Sequence, residues 1–493
     1  MIQLPVDFTE NMCRLLGEEE YNALAEALQG ESPVSVRVNP WKWGECKDSV
    51  AVNEPIPWAS GAMYLSERQP FTFDPLFHAG CYYVQEASSM FVQHVLHHYV
   101  PCACRMLDLC AAPGGKSTLA RTALPEGSLL VSNEIIRTRA QVLAENMVKW
   151  GHPDVVVTQS APADFTPLTH FFDVILADVP CSGEGMFRKD AESVEEWSMA
   201  NVDICWQRQR SIVSDVWDCL KPGGLFIYST CTYNAWEDEE NIRWMVQHFG
   251  AEPLQVPIEK EWGIRGDMTG KGNDLPVYRF LPSHVKGEGF FLAVMRKPIG
   301  DASEDERAFV AEPTTEIHEN NPKRQKKGKD SKGKDAKGMT PSYDACRQWL
   351  SDAEEFVWSV TDDTVSAVPV QWSGVVDLLK KHLVVLHTGV SVASLKGKDW
   401  IPHHSLAMSL RLRQSAFPCA EVDYDTAIAY LRHEAVTLDM SVSRGYVLLT
   451  YQGIPLGFVK NIGNRANNLY PVEWRIRSGY LPEKIPVILH CVK

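Results

Sequence analysis

Two short stretches of this chain place a cysteine where a reaction can use it. The first is ADVPCSGEG, Ala177 to Gly185, in which Cys181 sits in a Pro-Cys-Ser-Gly turn just past an apolar run ending at Asp178. The second is FIYSTCTYN, in which Cys231 follows another apolar run. A thiol in such a place can be a nucleophile, a metal ligand, half of a redox pair, or a small buried apolar group. A third stretch, LDLCAAPGGKST, runs an apolar segment into a glycine turn and then a helical pattern. That is the geometry that holds a nucleotide at a helix N-terminus. It is neither GxGxxG nor the GxxxxGK[ST] of a phosphate loop. Asp108 closes the strand as an acceptor, Pro113 shapes the turn, and Gly114 and Gly115 admit a ligand close to the backbone.

Alternating elements must carry these stretches. From residue 71 to 298 the strand-like runs RMLDLC, SLLVSNE, DVVVTQ, FDVILAD, GLFIYSTC and FFLAVMR alternate with helical ones. The helical runs are TLARTAL, RTRAQVLAENMVKWG and WQRQRSIVSDVWDCLKPGG, the last expected to end at its Pro-Gly-Gly. This predicts an α/β, Rossmann-like domain with a mostly parallel sheet. Parallel strands open their C-terminal ends onto one crevice, so Asp178, Cys181 and Cys231 should converge there.

The second strand ends at Glu134, about twenty residues past the glycine loop, where an acidic side chain suits the two hydroxyls of a ribose. With no phosphate-clasping pattern, a nucleoside lacking a pyrophosphate fits best, and S-adenosylmethionine is one. Cys110, Ala111, Ala112, Pro113, Gly114, Gly115 and Lys116 would then form its loop, with Asp178 beside it. Asp164, after the third strand, is the candidate for the adenine edge.

The 493 residues call for two to four domains. Residues 1–70 combine a helical pattern with the strand-like SVRVNP. Residues 299–340 read as a charged, disordered linker whose tract 323–338 holds eight basic and two acidic residues. Residues 341–432 read as a mixed α/β domain, and 433–493 as a β-rich module built on YVLLTYQG and IPLGFVKN. Thirteen cysteines without a repeating frame fit a reduced, cytoplasmic setting. No run is long enough to span a membrane, and no signal-peptide pattern opens the chain. Cys102-X-Cys104 lacks a second ligand pair and His403-His404 are unpartnered, so no metal is expected. A net charge of −15 weighs against a protein that coats nucleic acid with its whole surface, though a local basic groove is compatible with it.

Taken together, DLCAAPGGKST, DVPCSGEGMFRKD and YSTCTYNAWEDEEN resemble the Sun/nucleolar-protein family of RNA cytosine-5 methyltransferases. The Gly-Met-Phe-Arg-Lys-Asp extension is most similar to its bacterial small-subunit ribosomal RNA methyltransferase F branch. The likeness reaches upstream to SVRVNP and DPLFHAGCYYVQEASSM, and downstream to a terminal module similar to PUA-type RNA-binding domains.

The resemblance implies methyl transfer from S-adenosylmethionine to carbon 5 of a cytosine in 16S ribosomal RNA, on a base lifted from its stack. It implies Cys231 as the nucleophile and Cys181 as the residue that assists product release, with Asp178 steadying the ring. Lys116 would orient Asp178 or meet the cofactor carboxylate. Arg37, Arg188, Lys189, Lys460 and Arg465 are the expected RNA contacts, with Arg475 and Arg477 adding positive charge to the terminal module. A monomer acting on RNA or on the small ribosomal subunit is expected. The competing readings are an RNA-binding assembly factor with an inert catalytic domain, an enzyme acting on transfer RNA, a DNA methyltransferase, and a nicotinamide dehydrogenase. The last is disfavoured by the missing GxGxxG.

Overall fold

The computed structural model describes residues 2–43, 54–271, 275–300, 302–303, 306–307 and 342–489. The chain opens with two helices, Val6–Leu16 and Glu18–Ala27, separated at Gly17, whose φ of 85° breaks the single helical pattern in two. Their apolar face (Phe8, Met12, Leu24, Leu28) is fully buried against Phe187, Trp197, Tyr233 and Leu281 of the catalytic half. Strands β1 (Val34–Val38), β2 (Ala62–Leu65) and β3 (Tyr82–Val84) form a small antiparallel sheet in the order β2-β1-β3. The N-terminal unit thus runs through β3 instead of ending at residue 70.

The central sheet contains β4 (Arg105–Asp108), β5 (Leu129–Asn133), β6 (Val155–Thr158), β7 (Phe172–Asp178) and β8 (Leu220–Thr230), all mutually parallel. Then follow β9 (Glu252–Leu254), β10 (Val277–Phe280) and β11 (Phe290–Arg296), which add antiparallel pairings beyond β8. Both faces are covered, which is why these strands read as continuous apolar runs. Val174, Ile175, Leu176 and Ala177 of β7 are all solvent-free. Each large aliphatic among them contributes about 1.5–3 kcal/mol of burial. The helix Met199–Trp217 stops short of the Pro-Gly-Gly that was expected to end it. Leu220 already pairs with Phe172, so Lys221–Gly224 lie within β8.

After residue 341, β12 (Phe356–Thr361) and β13 (Thr364–Pro369) precede β14 (Val385–Thr388), which leaves its neighbours and pairs antiparallel with β6. The central sheet therefore runs β10-β11-β8-β7-β4-β5-β6-β14. The helix Ser373–His382 packs Val376 and Leu379 into the same core. Residues 341–432 are accordingly not one independent unit. Strands β15 (Val390–Lys396) and β16 (Asp399–Pro402) complete a four-stranded sheet with β12 and β13. Strands β17 (Cys419–Glu421), β18 (Gly445–Tyr451), β19 (Ile454–Asn461) and β20 (Ala466–Asn468) form the terminal sheet. It begins before residue 433 because β17 pairs parallel with β18. The basic tract 323–338 lies outside the described residues. Among the described residues no helix is long and apolar enough to cross a membrane.

Gly151 joins the two halves. It ends the helix Arg137–Trp150 with a φ of 91°, and its carbonyl accepts the Leu410 N–H at 3.0 Å. A Cβ there would collide with the Met408 carbonyl. Gly151→Ala is expected to lower the melting temperature by several degrees and to speed hydrogen exchange at Leu410, because the left-handed φ alone costs about 1–2 kcal/mol. Unchanged exchange at Leu410 would show that the close approach is not needed for docking.

Candidate active site

The C-terminal ends of β4, β7 and β8 open onto a cleft of about 400 Å³. Asp178, the last residue of β7, accepts the Ser229 hydroxyl at 2.7 Å on Oδ1 and the Lys116 ammonium at 2.9 Å on Oδ2. Burial pulls the Lys116 ammonium down, but the charge and hydrogen bond of Asp178 outweigh it and hold the group above its ordinary value. The same ammonium lies 5.2 Å from the centre of the Phe290 ring. Lys116 therefore orients Asp178, one of the two roles open to it from sequence.

Cys181 and Cys231 come from different loops, and their sulfurs lie 3.1 Å apart. The Cys231 backbone N–H also points at the Cys181 sulfur, at 3.3 Å. Two buried carboxylates hold these loops together. Glu184 accepts from the Thr232 hydroxyl (2.6 Å) and the backbone N–H groups of Tyr233 (2.7 Å) and Asn234 (2.9 Å) on one oxygen. Its other oxygen accepts from the Asn234 side chain and the Trp197 indole, both at 3.0 Å. Glu237 accepts the Ser182 N–H at 3.0 Å and Gln209 at 2.7 Å, and the Asn234 side chain at 2.7 Å. Burial, then the charge of Glu184, push Glu237 up to about 7. Gly185 donates its N–H to the Cys231 carbonyl at 2.8 Å, and a Cβ on it would lie 2.8 Å from that same oxygen. The hydrogen bond to Cys231 and then burial raise the Cys181 thiol. Cys231 lines the cleft, whereas Cys181 is not among the lining residues.

At the other end, Cys110, Ala111, Ala112, Pro113, Gly115 and Lys116 line the cleft floor. Gly114 takes a φ of 113° and backs onto Leu143. Arg139 holds the Ala112 carbonyl at 3.0 Å and Asn146 the Pro113 carbonyl at 2.8 Å. Glu134 is buried, accepting the Ile136 N–H at 2.9 Å and pairing with Arg139 at 3.3 Å. Asp108 is buried too; one oxygen accepts the Ser117 hydroxyl at 2.6 Å and the other has no partner. The two cations lining the cleft, Lys116 and Lys189, face Asp178 and Glu288 respectively. Among the described residues neither is left free for a pyrophosphate, while the carboxyl groups of Asp108, Glu134 and Asp178 surround the loop. These residues fit a cationic nucleoside such as S-adenosylmethionine.

Several expected residues stand elsewhere. Asp164 is exposed, caps its own turn through the Ala161 N–H at 2.8 Å, and does not line the cleft. Arg37 is not an RNA contact: it is 1% exposed, bonded to Thr118 at 2.7 Å and Gln85 at 3.2 Å, and stacked on Trp150. The Arg188 side chain is also turned inward, 7% exposed and held by Glu288 at 3.1 Å and the Gly287 carbonyl at 2.7 Å. Lys189 keeps a partly exposed side chain at the cleft. Lys460 and Arg465 lie on the terminal sheet and its last turn, far along the chain; Arg465 is exposed and Lys460 stands 3.9 Å from Asp399. The cleft also takes in Tyr83, Gln85, Glu86, Glu288 and Phe290. Gln85 and Glu86 belong to the stretch DPLFHAGCYYVQEASSM. Glu86 now binds the backbone N–H groups of Ser88, Ser89 and Glu288, fastening β3 to the loop before β11.

Fold and site together define a Rossmann-like, S-adenosylmethionine-dependent methyltransferase with a terminal PUA module. Residues 103–296 match the model described as 16S rRNA methyltransferase RsmB/F. Residues 4–87 match the N-terminal domain of 16S rRNA methyltransferase RsmF, and 417–476 the methyltransferase RsmF PUA domain. These matches together span well over half of the chain, which belongs to the RsmB/F family of 16S rRNA methyltransferases. The ribosomal RNA small subunit methyltransferase F of Enterobacter sp. (strain 638) is 28% identical over 478 residues, 94% of this chain and 93% of the relative. That of Erwinia tasmaniensis is 26% identical over 496 residues, 97% of this chain and 98% of the relative. Among solved structures, a methyltransferase homolog protein from Pyrococcus horikoshii superimposes with a TM-score of 0.50 at 26% identity, covering 60% of this chain and 96% of its own. NSun6 from the same organism, solved with SFG, gives 0.50 at 20% identity, covering 60% of this chain and 99% of its own.

Burial first, with the charges of Asp178 and Glu134 adding and the Ser117 hydrogen bond opposing, pushes Asp108 up to about 7 from its ordinary 3.8. Between those values the folded chain holds a proton that the unfolded chain has released, so stability falls as pH rises through the window. Asp108→Asn is expected to gain stability relative to the unsubstituted chain between pH 5 and pH 8, measured by thermal melts of both proteins. A difference that stays constant with pH would mean Asp108 ionises normally.

Proposed function

We propose that this enzyme methylates carbon 5 of a cytosine in 16S ribosomal RNA through a covalent bond between Cys231 and C6 of the base. One observation carries the reading: Cys231 lines the cleft together with the Asp178–Lys116 pair, and the Cys181 sulfur lies 3.1 Å from its own. The bound cofactor offers an electrophilic methyl group, and C5 of an unactivated cytosine is too electron-poor to take it.

Addition of the Cys231 thiolate to C6 makes C5 enamine-like and nucleophilic. The charge pushed into the ring collects at N3, where a proton shared with the Asp178 carboxyl neutralises it, and Lys116 keeps that carboxyl in place. Ser229 fixes the carboxyl's second oxygen, so the group cannot rotate away from the ring. Once C5 carries the methyl group, its proton must leave before the C6–S bond breaks. Cys181 is placed to take that proton or relay it, because its sulfur touches the sulfur that departs. The base must stand clear of its stack for these contacts. Lys189 at the cleft, with Lys460 and Arg465 on the terminal module, supplies positive charge for the RNA backbone on an otherwise acidic chain.

Cys231→Ala is expected to abolish methyl transfer and to form no adduct. Cys181→Ala is expected to accumulate a protein–RNA crosslink that survives denaturing electrophoresis. Normal turnover by the Cys181 variant together with crosslinking by the Cys231 variant would reverse the assignment. Bisulfite sequencing of 16S ribosomal RNA from cells lacking the protein reads the modified cytosine, which should convert only in those cells.

A further inference from the structure

We infer that Cys181 and Cys231 form a redox-sensitive dithiol that a hydroperoxide closes reversibly into a disulfide, inactivating the enzyme. The loss of activity rests on the proposed role of Cys231; the disulfide itself does not.

The geometry is already close to that of the product. The sulfurs stand 3.1 Å apart and need to approach by about 1 Å to reach a bond length of about 2.05 Å. No segment has to unfold for this. The Pro-Cys-Ser-Gly and Ser-Thr-Cys-Thr loops are clamped to each other by Glu184, Glu237 and the Gly185–Cys231 backbone bond. The remaining motion is rotation of two side chains. Among the described residues this is the one thiol–thiol hydrogen bond.

Access and selectivity follow from position. Cys231 lines a cleft of about 400 Å³, large enough to admit a small peroxide. Cys104, Cys219 and Cys346 are buried, and burial holds their thiols up at about 12, 12 and 11, where little thiolate forms. Cys102 and Cys419 are exposed but have no second thiol within hydrogen-bonding reach in the structure.

The chemistry balances in two steps. The Cys231 thiolate attacks one peroxide oxygen, breaking the O–O bond; the sulfur is oxidised to a sulfenic acid, and the departing oxygen leaves as water after protonation. Cys181 then attacks that sulfur and expels the hydroxyl, its own thiol proton passing to the departing oxygen, which leaves as a second water. Two thiols and one peroxide thus give one disulfide and two waters. A dithiol reductant reverses the change by exchange, becoming a disulfide itself. By trapping the sulfenic acid, Cys181 also shields Cys231 from irreversible oxidation to the sulfinic acid.

The test uses the full chain, treated with hydrogen peroxide and then alkylated, with peptide masses and methyl transfer read in parallel. The expected product joins the peptides carrying Cys181 and Cys231, about 2 Da lighter than the two thiol peptides together. Methyl transfer falls at least tenfold and returns with dithiothreitol. In Cys181→Ser, Cys231 should instead carry two added oxygens that dithiothreitol does not remove. Separate alkylation of both thiols after treatment would overturn the disulfide while leaving the proposed reaction standing. A quantitative disulfide with undiminished methyl transfer would overturn the inactivation and the role of Cys231 together.

Discussion

Glu184 is wholly buried and accepts hydrogen bonds from Thr232, Tyr233, Trp197 and, twice, Asn234. It stands on the loop after β7, and three of these partners stand on the loop after β8. The two strand ends are neighbours in the sheet, but pairing of strands does not fix the loops beyond them. The carboxylate does. Each donor stranded by its loss would cost about 1–3 kcal/mol, and together they rival the roughly 5–15 kcal/mol that keeps a domain folded. The position of both sulfurs is therefore a consequence of burying one charge among donors drawn from both loops.

The N-terminal helices belong to the same constraint. Phe8 packs edge-on to Phe187 at 5.1 Å and to Trp197 at 5.8 Å, and Trp197 is the indole that binds Glu184. A segment that reads as an appendage thus seals the outer side of the catalytic loops. Arg37 does comparable service on the other flank. Its guanidinium ties β1 to Thr118 on the first helix after the glycine loop, and Gln85 receives it on the way. Buried arginine of this kind holds elements in register through several donors at once.

Much of this was legible in the chain. The parallel strands announce themselves because both faces are covered, leaving unbroken apolar runs such as FDVILAD. The glycine loop and the two cysteine turns are local motifs whose geometry follows from their own residues. What escaped reading depends on partners far away in sequence. Arg188 looks like a surface cation until Glu288, a hundred residues on, takes it inside. Arg37 looked available for phosphate for the same reason. Asp164 follows the third strand at the right place for a base contact, but its carboxylate closes its own turn instead. Glu184 and Glu237 carry no pattern at all, since a carboxylate in a polar loop reads as solvated until the donors around it are known.

Strand β14 alters what the word linker means for this chain. The polypeptide leaves the central sheet at β11, second from one edge, and returns at β14, the opposite edge. Six strand spacings separate the two, about 29 Å at the usual interval. The chain between β11 and β14 therefore joins opposite sides of the catalytic sheet. Severing the protein there would not yield a catalytic half and an RNA-binding half. It would strip β6 of its outer neighbour and bare a row of unpaired backbone groups beside the cofactor strands. The catalytic sheet is completed only by a strand that comes after this tract.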